Sequence, residues 1–233
     1  MSEASDKVRG VRELPLFPLP LVLFPGVPLP LHIFELRYQQ MLADIRAGDS
    51  LFGLSYFDAS EAESERPDLG HVGCVAEVTE VQAMPEGRSN ILSLGLIRYR
   101  VESYVDRGDP YLVGQVSFFE DQEEDAGFLQ GRADEVLKIF MRIARAVRII
   151  NDERASLPEL PQTDPERLSF LIAAAMDLDT EVKLELLELR STSERLKRLR
   201  DLLARAAPNY EERARIHAVA KKNGHGQKKI GLP

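Results

Sequence analysis

The spacing of the apolar residues changes for good near residue 120, and that change limits what the chain can fold into. Up to about Glu120 the apolar residues come in short runs broken by Gly and Pro. Beyond it, Val136, Phe140, Ile143, Val147 and Ile150 recur at i, i+4, i+7, i+11 and i+14. Alternation suits a half-buried strand, whereas the longer period suits a helix with one buried stripe. The chain therefore reads as an α+β fold in two parts. A β-barrel of about six strands with an inserted helix is expected over 12–125, and an α-helical bundle over 126–222. The charged stretch EDQEEDAG (120–127) marks the boundary, and residues 1–11 and 223–233 read as flexible tails.

Within the first part, LPLFPLP (14–20) carries three prolines, which cannot donate to a ladder, so an edge or bulged strand is expected. Pro25-Gly26 suits the centre of a type II turn, and Leu29, Leu31 and Ile33 then alternate. ELRYQQMLADIRAG (35–48) changes to helical spacing and ends on a glycine suited to close a helix. Strands follow at 51–57, 71–84, 89–105 and 111–119, with Gly95 marking a bulge or sharp bend. In the second part, Asp164-Pro165 opens a helix, a further one covers 179–189, and Ser191-Thr192-Ser193-Glu194 has the capping-box pattern. That last helix is expected to stop near Pro208, with a separate one from Tyr210 to Lys222.

Charge is unevenly distributed. The net charge is −8, yet Arg190–Pro233 holds 12 of the 30 Lys+Arg and only 4 of the 38 Asp+Glu. An acidic body thus carries a basic end, which could recruit an acidic partner or self-associate. No apolar run reaches the roughly 18 residues of a membrane span, and the polar start MSEASDKVRG lacks the apolar run of a secretory signal. The single cysteine, Cys74, cannot form an internal disulfide or a thiolate metal cage, so a cytoplasmic location is expected.

Several kinds of chemistry lack their residues. There is no Gly-Lys pair, hence no phosphate-binding P-loop, and no G-x-G-x-x-G. His32, His71, His217 and His225 are scattered, so no metal or cofactor is expected. His71 and Cys74 lie three apart in a strand, on opposite faces, which argues against a catalytic dyad.

Four segments, in order, are similar to the amino-terminal substrate-binding domain of the Lon protease family. They are LPLFPLPLVLFPGVPLPLHIFELRYQQML (14–42), GRSNILSLGLIRYRV (87–101), DPYLVGQV (109–116) and LSFLIAAAMDLDTEVKLELLELRSTSERLKRLRDLL (168–203). The resemblance covers roughly residues 12–205. It implies a PUA-like pseudo-barrel followed by a helical bundle, and a role in recognising unfolded or degron-bearing proteins. The ATPase and Ser-Lys peptidase of full-length Lon have no counterpart in these 233 residues. The expectation is a non-catalytic protein- or peptide-binding module, working by apolar contact and strand addition, as a protease-associated adaptor. RNA binding through the basic end, including Lys221, Lys222, Lys228 and Lys229, is the alternative.

The candidate binding residues are Leu21, Val22, Leu23, Phe24, Tyr38, Arg98 and Arg100. The first four form an apolar strip that either fills the core or captures an extended peptide. Tyr38 is expected in the core with its hydroxyl at the rim. Arg98 and Arg100 share one strand face, either solvated or serving as a partner patch. Glu35 is expected to cap the helix that follows it, and Arg37 to tie that helix to the barrel.

Overall fold

The computed structural model describes residues 2–58, 60, 66–153 and 163–224, the last three without their side chains. Along the chain these form α1 (Glu3–Lys7), β1 (Glu13–Leu19), β2 (Pro28–Ile33), α2 (Leu36–Arg46), β3 (Leu51–Tyr56), β4 (Val72–Ala83), β5 (Ser89–Val105), β6 (Leu112–Phe119), α3 (Ala126–Ile150), α4 (Pro165–Ala175), α5 (Thr180–Glu188) and α6 (Thr192–Gly224). The fold is α+β, with one six-stranded sheet among the described residues.

The strand order is β2-β5-β4-β3-β1-β6, and a further pairing of β5 with β6 brings the order round on itself. The length of β5 makes this possible. Its first part, Ser89–Leu94, pairs with β2, and its last part, Arg98–Val105, pairs with β6. β1 is not the edge strand that its prolines suggested. It pairs with β6 through Glu13–Leu16 and, in parallel, with β3 through Leu16–Leu19. These pairings cover opposite halves, so Pro15 and Pro18 each have a single neighbour strand and the missing donor can face the unpaired side. The true edge is β2. The Val27 carbonyl accepts from the Gly95 amide at 3.0 Å. Alternation along β2 then turns Leu29, Leu31 and Ile33 towards β5 and leaves Pro28 and Pro30 facing outward.

The Pro25-Gly26 turn forms as expected. The Val27 amide donates to the Phe24 carbonyl at 3.2 Å, and Gly26 has φ +77°. Gly95 lies against this turn, where the β4–β5 register shifts. A β-carbon on Gly95 would sit 2.3 Å from the Phe24 carbonyl oxygen. One core cluster joins Phe17, Leu23, Ile33, Tyr38, Met41, Ile45 and Phe52. Another gathers Leu14, Leu16, Val75, Ile97 and Tyr99. The Tyr99 hydroxyl lies 2.6 Å from Ser55 Oγ, which satisfies both buried groups.

Three expectations need correction. The leader is structured from Glu3: α1 forms, Val8 is buried in the second cluster, and Lys7 Nζ reaches Glu77 at 2.7 Å. The chain does not divide at 125 alone. One compact unit holds residues 1–122 and 173–190, and the other holds 123–172 and 191–233. α5 therefore belongs with the sheet. Finally, α6 runs through Pro208 instead of stopping there. Pro208 and Ala204, whose carbonyl loses its helical donor, are both exposed, so water can satisfy that oxygen.

In the second unit α3 lies against α6. The expected stripe is shifted by small residues: Ala133, Val136, Ile143 and Ala146 are buried, while Phe140, Val147 and Ile150 are half-buried. The α6 side contributes Leu196, Leu199 and Leu203. Both expected helix starts are capped. The Arg167 amide donates to Asp164 Oδ1 at 2.9 Å, and the Glu194 amide donates to Ser191 Oγ at 3.1 Å. Arg195 is buried, with Nε donating to Ser169 Oγ at 2.7 Å and its guanidinium 3.8 Å from the centre of the Phe170 ring.

Gly95→Ala is expected to destabilise the chain by about 1–3 kcal/mol through overpacking against a main-chain oxygen that cannot rotate away. Urea unfolding would show this as a lowered midpoint at unchanged slope.

Candidate functional site

Arg98 is a buried charged residue of the first unit. It lies on β5 with its side chain 1% exposed, opposite an Asp121 side chain that is 3% exposed. Its Nη2 donates to Asp121 Oδ1 at 2.5 Å, and its Nη1 donates to the carbonyls of Leu187 and Leu189 at 3.0 and 2.6 Å. The guanidinium also lies 4.6 Å from the centre of the Phe119 ring. The two carbonyls belong to the end of α5, where helical oxygens have no amide partner and the helix dipole favours a cation. Arg190 Nε reaches back to the Glu120 carbonyl at 3.4 Å, and the Gln122 amide donates to the Arg190 carbonyl at 2.8 Å.

Elsewhere on the same unit the surface is concave. A cleft of ≈ 1050 Å³ is walled by Pro18, Pro20, Tyr38, Phe57, Tyr111 and Leu112. It adjoins a second cleft of ≈ 510 Å³, and Arg66, Asp109, Tyr111 and Leu112 line both. Two arginines, Arg37 and Arg66, and two aspartates, Asp58 and Asp109, share the rim of the larger cleft. One tyrosine of each cleft, Tyr111 in the larger and Tyr104 in the smaller, is held in place. The Tyr111 hydroxyl donates to Asp44 Oδ2 at 2.8 Å, and the Tyr104 hydroxyl donates to the Pro67 carbonyl at 2.6 Å. Burial pushes the Tyr104 phenol up to about 12 and also raises that of Tyr111, so both remain neutral donors near pH 7. Such a surface offers aromatic and proline faces with balanced charge.

The sequence candidates fall into different environments. Leu23, Phe24 and Tyr38 are buried, and Leu21 and Val22 are half-buried. Of the two readings left open for this strip, Leu23 and Phe24 take the core one. Tyr38 packs 4.0 Å from the Phe17 ring centre and also lines the cleft. Arg98 and Arg100 do not form one patch. Asp121 and the end of α5 enclose Arg98, while Arg100 is exposed and donates to the Gly70 carbonyl at 2.7 Å. Glu35 makes no side-chain cap. It accepts instead from Arg37 Nε at 2.9 Å, and the Arg37 guanidinium lies 4.5 Å from the Tyr38 ring centre. The cleft itself was missed, because Pro18, Phe57 and Tyr111 come from three distant segments. The only sequence signal was the density of proline and tyrosine.

Over residues 13–205 the chain matches the family described as the ATP-dependent protease La (LON) substrate-binding domain. It belongs to that family. Curated relatives include Lon protease 2 of Herpetosiphon aurantiacus, 28% identical over 82% of this chain and 24% of that protein. Another is the Lon protease of Syntrophomonas wolfei, 27% identical over 94% of this chain and 27% of that protein. The chain thus spans about a quarter of the length of these relatives. Among solved structures it is similar to a Lon N-terminal domain protein from Xanthomonas campestris, with a TM-score of 0.57 and 23% identity over 81% of this chain and 97% of that one. It is also similar to the N-terminal domain of Mycobacterium avium complex Lon protease, with a TM-score of 0.60 and 18% identity over 83% and 98%. These likenesses show the fold.

In this member of the Lon substrate-binding family, Cys74 is buried and burial pushes its thiol up to about 12, so it is no nucleophile near pH 7. Among the described residues no group of three or more His, Cys, Asp or Glu is placed to hold a metal ion. No described helix is long and apolar enough to cross a membrane. His71 is half-buried and its Nε2 finds no partner among the described residues. Burial lowers its pKa below the ordinary 6.5, partly offset by Asp68.

Two measurements follow from these environments. Arg98→Met removes the buried guanidinium that Asp121 and two carbonyls at the end of α5 share and is expected to cost about 3–5 kcal/mol, whereas Arg100→Ala is expected to cost less than about 0.5 kcal/mol. Urea midpoints of the two variants would show the contrast. For His71 the folded state holds the neutral ring, and the unfolded chain takes up its proton at higher pH. Its effect is absent well above about pH 6.5 and becomes a loss of stability as pH falls below that value. His71→Gln is expected to flatten this decline, as read from urea midpoints at about pH 7.5 and about pH 5.5.

Proposed function

We propose that this chain is a non-catalytic polypeptide-recognition module that takes up extended apolar segments in the proline- and tyrosine-walled cleft of its first unit. The ≈ 1050 Å³ cleft carries this reading. Its aromatic and proline faces offer apolar contact to side chains, and its fixed Tyr111 hydroxyl can orient a main chain. The balanced rim suits a neutral polypeptide better than a polyphosphate backbone. Capture by addition to β2 is disfavoured, because two of its three outward-facing positions are prolines without donors. The family description supports recognition of substrate polypeptides. As an adaptor, the chain would deliver a captured segment to a protease.

The RNA alternative draws less support. Lys221 pairs with Asp152, Lys228 and Lys229 lie outside the described residues, and the Lys222 side chain is not among those described. Fluorescence anisotropy with labelled, unfolded casein tests the proposal. Binding is expected to change less than about twofold between low and high salt. Phe57→Ser and Tyr111→Ser are expected to weaken it about tenfold while leaving the circular dichroism unchanged. Failure to bind casein, together with salt-steep binding of a single-stranded RNA, would favour the alternative.

A further inference from the structure

The second unit carries an unclaimed surface on α3. Between Val136 and Ile150 this helix has four basic residues, Lys138, Arg142, Arg145 and Arg148, and no acidic one. Two shallow grooves run along it. One, ≈ 480 Å³, is floored by Leu137 and Met141. The other, ≈ 400 Å³, lies between α3 and α6 over Ala146, Ile149, Ala214 and Ala218. Arg142 and Arg145 line both, so the grooves are continuous. From Asp134 to Ile149 the surface is about 22 Å long at the helical rise, the length of a four-turn helix.

Its chemistry is specific. Ile149 is 48% exposed and Met141 half-buried, which leaves apolar surface along the floor. The alanines let another helix approach closely, and methionine adapts to varied partners. Lys138, Arg142, Arg145 and Arg215 outnumber Asp134 and Glu211 at the edges. Arg142 is engaged by Glu211 at 2.8 Å, and Arg215 by Glu212. Lys138 and Arg145 have no carboxylate within 4.0 Å among the described residues, so two cations beside apolar surface await a counter-charge. Among the described residues no aromatic ring lines either groove, so these residues offer none of the stacking that single-stranded nucleic acid uses.

We propose that this α3–α6 groove docks an acidic amphipathic helix of a partner protein, with its apolar stripe over Met141 and Ile149 and its carboxylates on Lys138 and Arg145. This surface is separate from the cleft of the first unit and does not depend on that reading. The probe is a labelled helical peptide of about 18 residues, with Leu at i, i+4, i+7 and i+11 and Glu on both flanks. It is titrated into the full chain and followed by anisotropy. The peptide is expected to bind. A version with the stripe scrambled, a version with Lys for Glu, and the Lys138→Glu and Arg145→Glu variants are each expected to weaken binding at least about tenfold. Arg145→Ala serves as a milder second variant, circular dichroism checks the fold, and Tyr111→Ser is expected to leave binding unchanged. No binding, equal binding of the scrambled or Lys peptide, or indifference to both Arg145 variants would overturn the proposal. So would displacement of the peptide by a short oligouridine whose own binding is lost in Arg145→Glu, which would assign the face to nucleic acid.

Discussion

A buried arginine holds the first unit together. Arg98 takes a full charge out of water, which is costly unless its donors are met. Asp121 meets one, and the Leu187 and Leu189 carbonyls at the end of α5 meet others. Those carbonyls come from a segment 89 and 91 residues away in sequence, beyond a stretch that belongs to the other unit. The arrangement therefore fixes a long-range return of the chain. Without α5 in place, Arg98 would face either water or an unsatisfied interior. The second unit has its own buried arginine, Arg195, with a hydroxyl at its Nε and the Phe170 ring beside its guanidinium.

Around that anchor, the sheet trades regularity for shape. β5 serves β2 with one part and β6 with another, and the shift at Gly95 lets the Pro25-Gly26 turn sit against it. The prolines of β1 and β2 remove donors where a ladder would otherwise extend. That protects the β2 edge from pairing with other chains. The same residue type, at Pro18, Pro20 and Pro110, lines the cleft. Proline thus blunts a sheet edge here and also walls the cleft.

Much of the fold was legible in the sequence because the signals were local. Six strands, the helix at α2, the Pro25-Gly26 turn and the caps at Asp164 and Ser191 each depend on a few neighbouring residues. The candidate site was less legible. Leu23 and Phe24 look the same in sequence whether they plug a core or bind a peptide, and only packing decides. Arg98 and Arg100 alternate correctly on one face, yet one is covered and the other is not. Pro208 looked like a stop because it lacks an amide, but one lost hydrogen bond on an exposed face does not end a helix whose other side is packed.

By itself the sequence determined the α+β character, the family, the order of the strands and the lack of a P-loop, since each of these rests on local pattern or on residue identity. The tertiary structure decided which unit α5 joins, which arginine is buried, and where a cleft opens. These depend on contacts between segments far apart in the chain. Local spacing encodes which way a side chain faces, but not what will cover it.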